Sequence, residues 1–323
     1  MTGVRMQVTG VVNNNKWVPI LFFLLLAVGC LETQTSSENK LNVTILSGHI
    51  VETESLSSLI NQPHVVLVDA REEEKYTKFH LPNSVNIPKN LFRTSKDIKF
   101  KNANGFAIPS EKAEKIFGEA GIGKITRVIV YDSVTFPDAS IIWGLLKYYG
   151  HDNVQILKGG FEKWVSEGRP VTSEPIKDVK KAIFKAVPKP EMVATAKWIM
   201  ENKDEIVIID LRSFKEYLGL NKAGNIRGGS IPGAVNIEWK ELAGDTTIKS
   251  AERIGEVLAK YGIPKNKEIV TYCNIGIGRS TYGLFLLKML GYEKARVYGG
   301  SMEDWSGRLE TPMGDMKNIP AKI

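Results

Sequence analysis

Two stretches decide the fold: "VVLVDAREEEKY", from Val65 to Tyr76, and "IVIIDLRSFKEY", from Ile206 to Tyr217. Each begins with a continuous apolar, β-branched run, which is typical of a strand buried on both faces of a parallel sheet. Each run leads into an Asp-x-Arg sequence and then a polar segment that is predicted to be a loop. The chain therefore contains two segments that leave a sheet in the same way.

The similarity between the two parts of the chain extends over several separated motifs. A spacing that stays constant across such motifs indicates a duplication, and the single departure indicates a longer loop near residues 218–229 of the second half. The matched stretches are "HLPNSVNIP" (80–88) with "SIPGAVNIE" (230–238), "VIVYD" (128–132) with "IVTYC" (269–273), and "LLKYYGHDNVQILKGGFEKW" (145–164) with "LLKMLGYEKARVYGGSMEDW" (286–305). The spacing is 141 residues for Asp69 and Asp210, Asp132 and Cys273, and Trp164 and Trp305, and 150 for Pro82 and Pro232.

Within each half, apolar strands alternate with helical stretches. "SAERIGEVLAKYG" (250–262), for example, has a serine suited to a helix N-cap and a glycine suited to a C-terminal stop. This alternation predicts an α/β fold, with two domains that each form an open parallel sheet with helices on both faces. The predicted limits are 44–172 for the N-terminal domain, 173–190 for a Pro- and Lys-rich linker, and 191–323 for the C-terminal domain.

The N-terminus has the pattern of an export signal. Arg5 and Lys16 precede an apolar run over residues 18–28 that is too short to span a bilayer. The run ends in "AVGC" (27–30), which resembles a bacterial lipobox. We expect a signal peptide over 1–29, a lipidated Cys30 and a polar tether over 30–43. An ordinary signal peptide, or an uncleaved anchor with an incidental Cys30, is the alternative.

This interpretation implies an extracytoplasmic protein anchored by lipid to a bacterial membrane, on the periplasmic side in a Gram-negative cell. No aspartate follows Cys30, since the next residues are Leu31 and Glu32. By resemblance to Gram-negative sorting, that favours the outer membrane.

Composition narrows the class of function. The chain has 323 residues, 43% of them hydrophobic, and a formal charge of +7. No basic stripe with interleaved aromatics is present, so a nucleic-acid partner is not predicted. Cysteine and histidine spacing predicts no metal site. All four histidines lie in the first half, which argues against a Cys-His dyad in the second.

Cys273 is the candidate nucleophile. It lies at the carboxyl end of a predicted strand, where open α/β sheets place their ligands, and a helix is expected to start near Arg279. Gly276 and Gly278 allow the intervening backbone N–H groups to form an anion-binding nest, and the helix N-terminus adds positive charge. Both effects favour a thiolate. Asp132 holds the matching place in the first half, which is therefore expected to be catalytically silent.

With these motifs, residues 44 to 312 resemble the tandem-domain rhodaneses, the thiosulfate or mercaptopyruvate sulfurtransferases. The resemblance implies that Cys273 takes a sulfane sulfur from a thiosulfate-like donor as a persulfide and passes it to cyanide or a thiol, without a cofactor. It implies a six-residue loop whose amides hold the persulfide, with Arg279 helping to bind the anionic donor. The loop comprises Cys273, Asn274, Ile275, Gly276, Ile277 and Gly278.

Two alternatives stay open. The same stretch also has the Cys-x5-Arg spacing of cysteine phosphatases and arsenate reductases, in which a seven-residue loop and its arginine hold a tetrahedral oxyanion. A lipoprotein that binds sulfur compounds without turnover is the second alternative.

Other recurring residues are expected to be structural. Asp210 and Arg212 lie at a strand end and recur in the silent half as Asp69 and Arg71, which favours a buried ion pair over chemistry. The tryptophans that follow each Gly-Gly pair are predicted core anchors, and the asparagines of the "VNI" motifs are predicted to bind loop backbone. These residues are Trp164, Trp305, Asn86 and Asn236.

Overall fold

The computed structural model describes residues 48–92, 106–134, 137–176, 178–244 and 248–314. The predicted signal peptide, the tether and Cys30 lie outside this part of the chain. Within it, no helix combines the length and apolar character needed to cross a bilayer.

Each half forms one five-stranded sheet in which all paired strands are parallel. In the first half the spatial order is β1-β5-β4-β2-β3, and in the second it is β6-β10-β9-β7-β8. The predicted duplication and α/β class are thus confirmed, because the two orders correspond strand for strand. The strands are β1 (Ile50–Val51), β2 (Val65–Asp69), β3 (Ser84–Asn86), β4 (Arg127–Tyr131), β5 (Val154–Leu157), β6 (Val193–Ala194), β7 (Ile206–Asp210), β8 (Val235–Asn236), β9 (Glu268–Tyr272) and β10 (Ala295–Tyr298).

Helices connect the strands, and two short 3₁₀ turns, Lys89–Leu91 and Pro190–Met192, complete the described elements. Those of the first half are α1 (Thr53–Leu59), α2 (Glu73–Lys78), α3 (Ser110–Glu119), α4 (Asp138–Tyr148) and α5 (Gly160–Ser166). Those of the second half are α6 (Ala196–Asn202), α7 (Phe214–Tyr217), α8 (Trp239–Leu242), α9 (Ala251–Lys260), α10 (Arg279–Met289) and α11 (Ser301–Gly307).

Sequence patterns located the longer elements best. The helix predicted at 250–262 is α9, with Ser250 as its N-cap accepting the N–H of Arg253 at 3.3 Å. The stretch after β2, predicted as a polar loop, contains the short helix α2 instead. A six-residue helix shows too little periodicity to be recognised, and it forms here because its Tyr76 is anchored by a hydrogen bond to the carbonyl of Ser84 at 2.8 Å.

Both faces of each sheet are covered by apolar side chains. On the central strand of the first half, Val128 and Val130 belong to a core that extends into the second half, whereas Ile129 and Tyr131 belong to a separate core with Trp164. A strand whose odd and even residues are both buried must have packed layers on each side. This explains the continuous apolar runs in the sequence.

The two halves meet along α4 and α10. Ser140 Oγ lies 2.9 Å from Thr281 Oγ1, and these residues are 141 positions apart, which is the spacing of the repeat. Equivalent residues that contact each other lie on a local pseudo-twofold axis. Beside it, the rings of Trp143 and Phe285 pack edge to face with centroids 5.1 Å apart.

The strand ends carry the same polar network in both halves. Arg212 donates from Nη2 to Asp210 Oδ2 at 2.6 Å and from Nε to Oδ1 at 3.0 Å, and both side chains are fully buried. Asn236 donates to the carbonyls of Asp210 and Arg212. The first half repeats this arrangement with Asp69, Arg71 and Asn86. The predicted ion pairs and backbone-binding asparagines are therefore present.

The two tryptophans that follow the Gly-Gly pairs are core anchors, as predicted. Each is 1% exposed. Their indole N–H groups donate to the carbonyls of Pro170 and Pro312 at 2.8 and 2.7 Å.

Replacing Asp210 by Asn is expected to reduce the free energy of unfolding by about 3 kcal/mol, because it leaves the buried guanidinium of Arg212 uncompensated. Asp69→Asn should have an effect of the same size. Glu74→Gln, which breaks the exposed pair with Lys78, is the control and should leave the urea midpoint unchanged. Equal midpoints for all three variants would show that the buried pairs contribute nothing.

Candidate active site

Cys273 directly follows β9, an interior strand that lies between β7 and β10. The carboxyl ends of these strands meet at one edge of the sheet, and α10 begins six residues later at Arg279. The backbone N–H of Cys273 donates to Ser301 Oγ at 3.1 Å, and its carbonyl accepts the N–H of Met302 at 3.2 Å. The backbone of the predicted nucleophile is thus fixed by hydrogen bonds at both its N–H and its carbonyl.

The sulfur of Cys273 faces the first turn of α10. Sγ lies 3.3 Å from Ser280 Oγ and 3.5 Å from the carbonyl oxygen of Ile277, and Cys273 is 1% exposed. A thiol can donate its proton to either oxygen. A thiolate can accept the Ser280 hydroxyl hydrogen while it benefits from the positive end of the helix dipole. No sequence pattern identified Ser280 as a neighbour of the sulfur.

Ser301 carries a backbone constraint beside the nucleophile. Its φ is 48°, which is uncommon for a residue other than glycine, and its counterpart in the first half is Gly160 with φ 57°. Ser301 is fully buried, and its hydroxyl donates to the carbonyl of Tyr298 at 2.9 Å. The serine in place of glycine therefore supplies the acceptor for the N–H of Cys273.

The loop glycines have different roles. Gly276 has φ 80°, and a Cβ placed on it would lie 1.7 Å from the carbonyl oxygen of Gly299. Only glycine can occupy this place without moving the backbone. Gly278 also has a positive φ, 81°, and its N–H donates to Thr281 Oγ1 at 3.1 Å.

The remaining loop side chains contact protein. Asn274 donates through Nδ2 to the carbonyl of Ala223 at 3.0 Å and accepts from Asn225 at Oδ1, so it binds the longer loop of the second half. Ile277 belongs to the shared core, and the half-buried Ile275 packs against it. A role of these three residues toward substrate would rest on their backbone, as the sequence analysis proposed.

Arg279 forms a two-bond ion pair with Glu216. Its Nη1 lies 2.8 Å from Glu216 Oε2, and its Nη2 lies 3.1 Å from Oε1. Glu216 is at the third position of α7 and forms a capping box with Ser213. Burial alone would raise the pKa of Glu216, but the bonds and charge of Arg279, together with bonds from Ser213, lower it below its ordinary value.

Sequence inspection missed Glu216 as the partner of Arg279. The Ser-x-x-Glu spacing in "SFKE" (213–216) does predict the cap. Nothing in the sequence relates that glutamate to an arginine 63 residues further along.

Asp210 and Arg212 lie next to the site without contacting the sulfur in the hydrogen bonds described. Tyr272, the residue before Cys273, donates its hydroxyl to Asp210 Oδ2 at 2.6 Å, and burial raises its pKa well above the ordinary value. Arg212 Nη2 donates to the carbonyl of Gly229 at 2.9 Å. The pair thus positions the strand end that carries Cys273. In the described residues, no group of three or more His, Cys, Asp or Glu side chains is placed to hold a metal ion.

The first half has a carboxylate where the second has sulfur. Asp132 Oδ2 accepts the N–H of Ala139, in the first turn of α4, at 2.9 Å. Burial raises the pKa of Asp132 well above its ordinary value. The position therefore contains its own acidic side chain and no nucleophilic thiol.

The two α/β domains and the cysteine at the sheet edge of the second agree with what comparison with known proteins shows. The family model for the rhodanese-like domain matches twice, over residues 52–167 and 194–308. The "Sulfur carrier protein TtuD" of Thermus thermophilus is 30% identical over 280 residues, covering 82% of this chain and 95% of that protein. The "Putative thiosulfate sulfurtransferase 1" of Mycobacterium bovis is 28% identical over 274 residues, covering 82% of this chain and 96% of that protein.

A solved structure shows the same fold. SseA from Escherichia coli, described as a 3-mercaptopyruvate sulfotransferase, aligns with a TM-score of 0.69 at 22% identity, over 78% of this chain and 98% of that one. The chain belongs to the rhodanese family and carries two rhodanese-like domains in tandem. The predicted family and fold class are confirmed.

If Cys273 takes up sulfur as the resemblance implies, replacing Gly276 by Ala is expected to slow that uptake about 100-fold, because the new methyl group must displace the loop from Gly299. The rate is measured from persulfide formation. Gly291→Ala is the matched control, since the φ of Gly291, 81°, is within a degree of that of Gly276, but the space around its Cβ position is open. The control should keep the wild-type rate, and an equal loss in both variants would contradict the close-approach argument.

Proposed function

We propose that this protein is a sulfurtransferase in which Cys273 carries the transferred sulfur as a persulfide. The Cys273 thiolate attacks the sulfane sulfur of thiosulfate, the S–S bond of the donor breaks, and sulfite leaves with the bonding electron pair. With 3-mercaptopyruvate, the C–S bond breaks and the enolate of pyruvate leaves and takes up a proton. Cyanide or a thiolate then attacks the outer sulfur and regenerates the Cys273 thiolate.

The observation that carries this proposal is the position of the Cys273 sulfur at the start of α10 in the second rhodanese-like domain. A sulfur anion there lies near the Ser280 hydroxyl and the helix N-terminus, which both favour the charged form. The names of the sulfurtransferase and sulfur-carrier relatives support the same class of reaction.

The arrangement of Arg279 favours sulfur transfer over the Cys-x5-Arg alternative. A phosphatase-type arginine would use paired N–H groups to hold two oxygens of a tetrahedral anion. In this protein both terminal nitrogens of Arg279 bind Glu216. The six-residue loop that ends at Gly278 is then the unit that holds the substrate sulfur, and Arg279 contributes its remaining N–H groups to a donor.

Only the second half is proposed to react. Asp132 cannot accept a sulfane sulfur, and its carboxyl group stands at the position equivalent to the Cys273 thiol. The first half instead supplies part of the shared core under α10.

The proposal is tested by the intact mass of purified protein before and after addition of thiosulfate or 3-mercaptopyruvate. Wild-type protein is expected to gain one sulfur atom, which cyanide removes as thiocyanate, and Cys273→Ser should gain none. Asp132→Asn is the matched control and should gain sulfur as the wild type does. No gain with either donor, together with hydrolysis of an aryl phosphate or reduction of arsenate, would support the Cys-x5-Arg alternative. Binding of thiosulfate without any mass gain would support a non-catalytic binding protein.

We further propose that Cys30 is lipidated and anchors the protein to a bacterial membrane outside the cytoplasm, on the periplasmic side in a Gram-negative cell. The support is the sequence "AVGC" (27–30) at the end of an apolar run that follows two basic residues. A diacyl anchor would keep the catalytic domain at the membrane surface.

Wild-type protein expressed in a Gram-negative bacterium is expected to incorporate an alkyne-labelled fatty acid and to sediment with the membranes. Cys30→Ser should lose the label, while Cys273→Ser should retain it. Labelling that persists without Cys30, or a wild-type protein found unlabelled in the cytoplasm, would contradict the lipid anchor.

A further inference from the structure

The Arg279–Glu216 pair lies beside the nucleophile, because Arg279 begins α10 and the next residue, Ser280, has its hydroxyl oxygen 3.3 Å from the Cys273 sulfur. The side chain of Arg279 is 26% exposed and that of Glu216 is 8% exposed, so the carboxylate is the deeper partner. Burial lowers the pKa of Arg279, but the bonds to Glu216 and the attraction of a charged Cys273 outweigh it and raise the pKa. Any anionic donor bound by Arg279 is therefore also repelled by the negative charge of the Glu216 carboxylate, which is fixed in place by the ion pair.

Guanidinium geometry leaves room for a donor. Arginine has five N–H hydrogens, and the pair with Glu216 uses one hydrogen on each terminal nitrogen. The others can still hold one anionic group. The charge of Arg279, however, is already balanced by Glu216 before any donor arrives.

The silent half shows that the fold accepts the opposite polarity at these positions. The counterpart of Arg279 is Asp138, and the counterpart of Glu216 is Lys75. Asp138 Oδ2 lies 3.1 Å from Lys89 Nζ, and the charge of Lys75 also lowers the pKa of Asp138, although burial is the larger effect and raises it. The two positions thus carry opposite charges in both halves, and the acidic one is on the helix of Asp138 in the first half and on that of Glu216 in the second.

We propose that Glu216 is a specificity-determining residue, which weakens binding of dianionic sulfur donors relative to monoanionic ones. This inference rests on the proposed sulfurtransferase function. Thiosulfate carries two negative charges and a thiol-bearing α-keto carboxylate carries one, so an unpaired guanidinium would attract thiosulfate about twice as strongly. Because the carboxylate of Glu216 balances the charge of Arg279, the pair removes most of that advantage and shifts the preference toward the α-keto carboxylate that carries a thiol.

Glu216→Gln isolates the charge, because glutamine also suits the third position of a capping box. We would measure kcat/KM for thiosulfate and for 3-mercaptopyruvate with cyanide as acceptor. The variant is expected to raise the ratio of the two values in favour of thiosulfate about tenfold. Glu252→Gln is the matched control, since it removes the same charge from an exposed position in the first turn of α9 and should leave the ratio unchanged.

A second measurement needs no variant. Pyruvate, a monoanion, is expected to inhibit the wild-type enzyme at lower concentration than sulfate, a dianion that resembles thiosulfate. Stronger inhibition by sulfate would overturn the inference even if Glu216→Gln failed to fold.

The outcomes separate the two proposals. A persulfide on wild-type Cys273, with both donors changed equally in Glu216→Gln, would overturn the specificity role and leave the sulfurtransferase function standing. Glu216 would then be a structural partner of Arg279. No persulfide on the wild-type protein with either donor would overturn the proposed function, and this inference with it.

Discussion

The buried carboxylate of Asp210 is the interaction on which the second half depends. It accepts bonds from Arg212 and from the hydroxyl of Tyr272, and it thereby ties the end of β7 to the end of β9. Arg212 extends the network to the carbonyl of Gly229, which closes the longer loop. Two charges placed in an apolar interior must be paired and fully hydrogen-bonded, so the three segments can meet in only a few ways. Cys273 follows Tyr272 directly, so the network around Asp210 also fixes the position of Cys273 at the sheet edge.

Duplication explains why both halves contain the same polar and aromatic contacts around the sheet edge, although only the second half has a cysteine there. The ion pair, the asparagine that caps it and the tryptophan behind the last strand occur twice with the same contacts. Three of the differences lie at the edge that carries the site: Asp132 stands in place of Cys273, Asp138 in place of Arg279, and Lys75 in place of Glu216. Packing therefore preserves the ion pair, the asparagine and the tryptophan in both halves. The side chains at the sheet edge are less constrained, and the same position holds a thiol in one half and a carboxyl group in the other.

The fold could be predicted from the sequence because each pattern that indicates it is formed by residues close together in the chain or by a repeated spacing. Continuous β-branched runs, an N-cap serine and a repeated spacing are all readable without coordinates, and they predicted two parallel sheets, α9 and the position of Cys273. The same reasoning placed Arg279 next to the loop. It did not find α2, whose six residues carry little periodicity, and it did not identify Ser280 or Ser301 as neighbours of Cys273. Each of those contacts depends on how a loop turns after a strand or on which strands are neighbours in the sheet, and a local sequence pattern shows neither.

The sequence by itself determined the duplication, the α/β class, the ion pairs at the strand ends and the cysteine at the sheet edge, because periodicity and residue chemistry act over short distances along the chain. Only the tertiary structure decided that Glu216 holds Arg279, that Ser301 adopts a positive φ to accept the Cys273 N–H, and that Gly276 lies against Gly299. These contacts join residues 23 to 63 positions apart. They exist because parallel strands bring distant chain segments to one edge, where the distances between side chains are set by the sheet and not by the sequence.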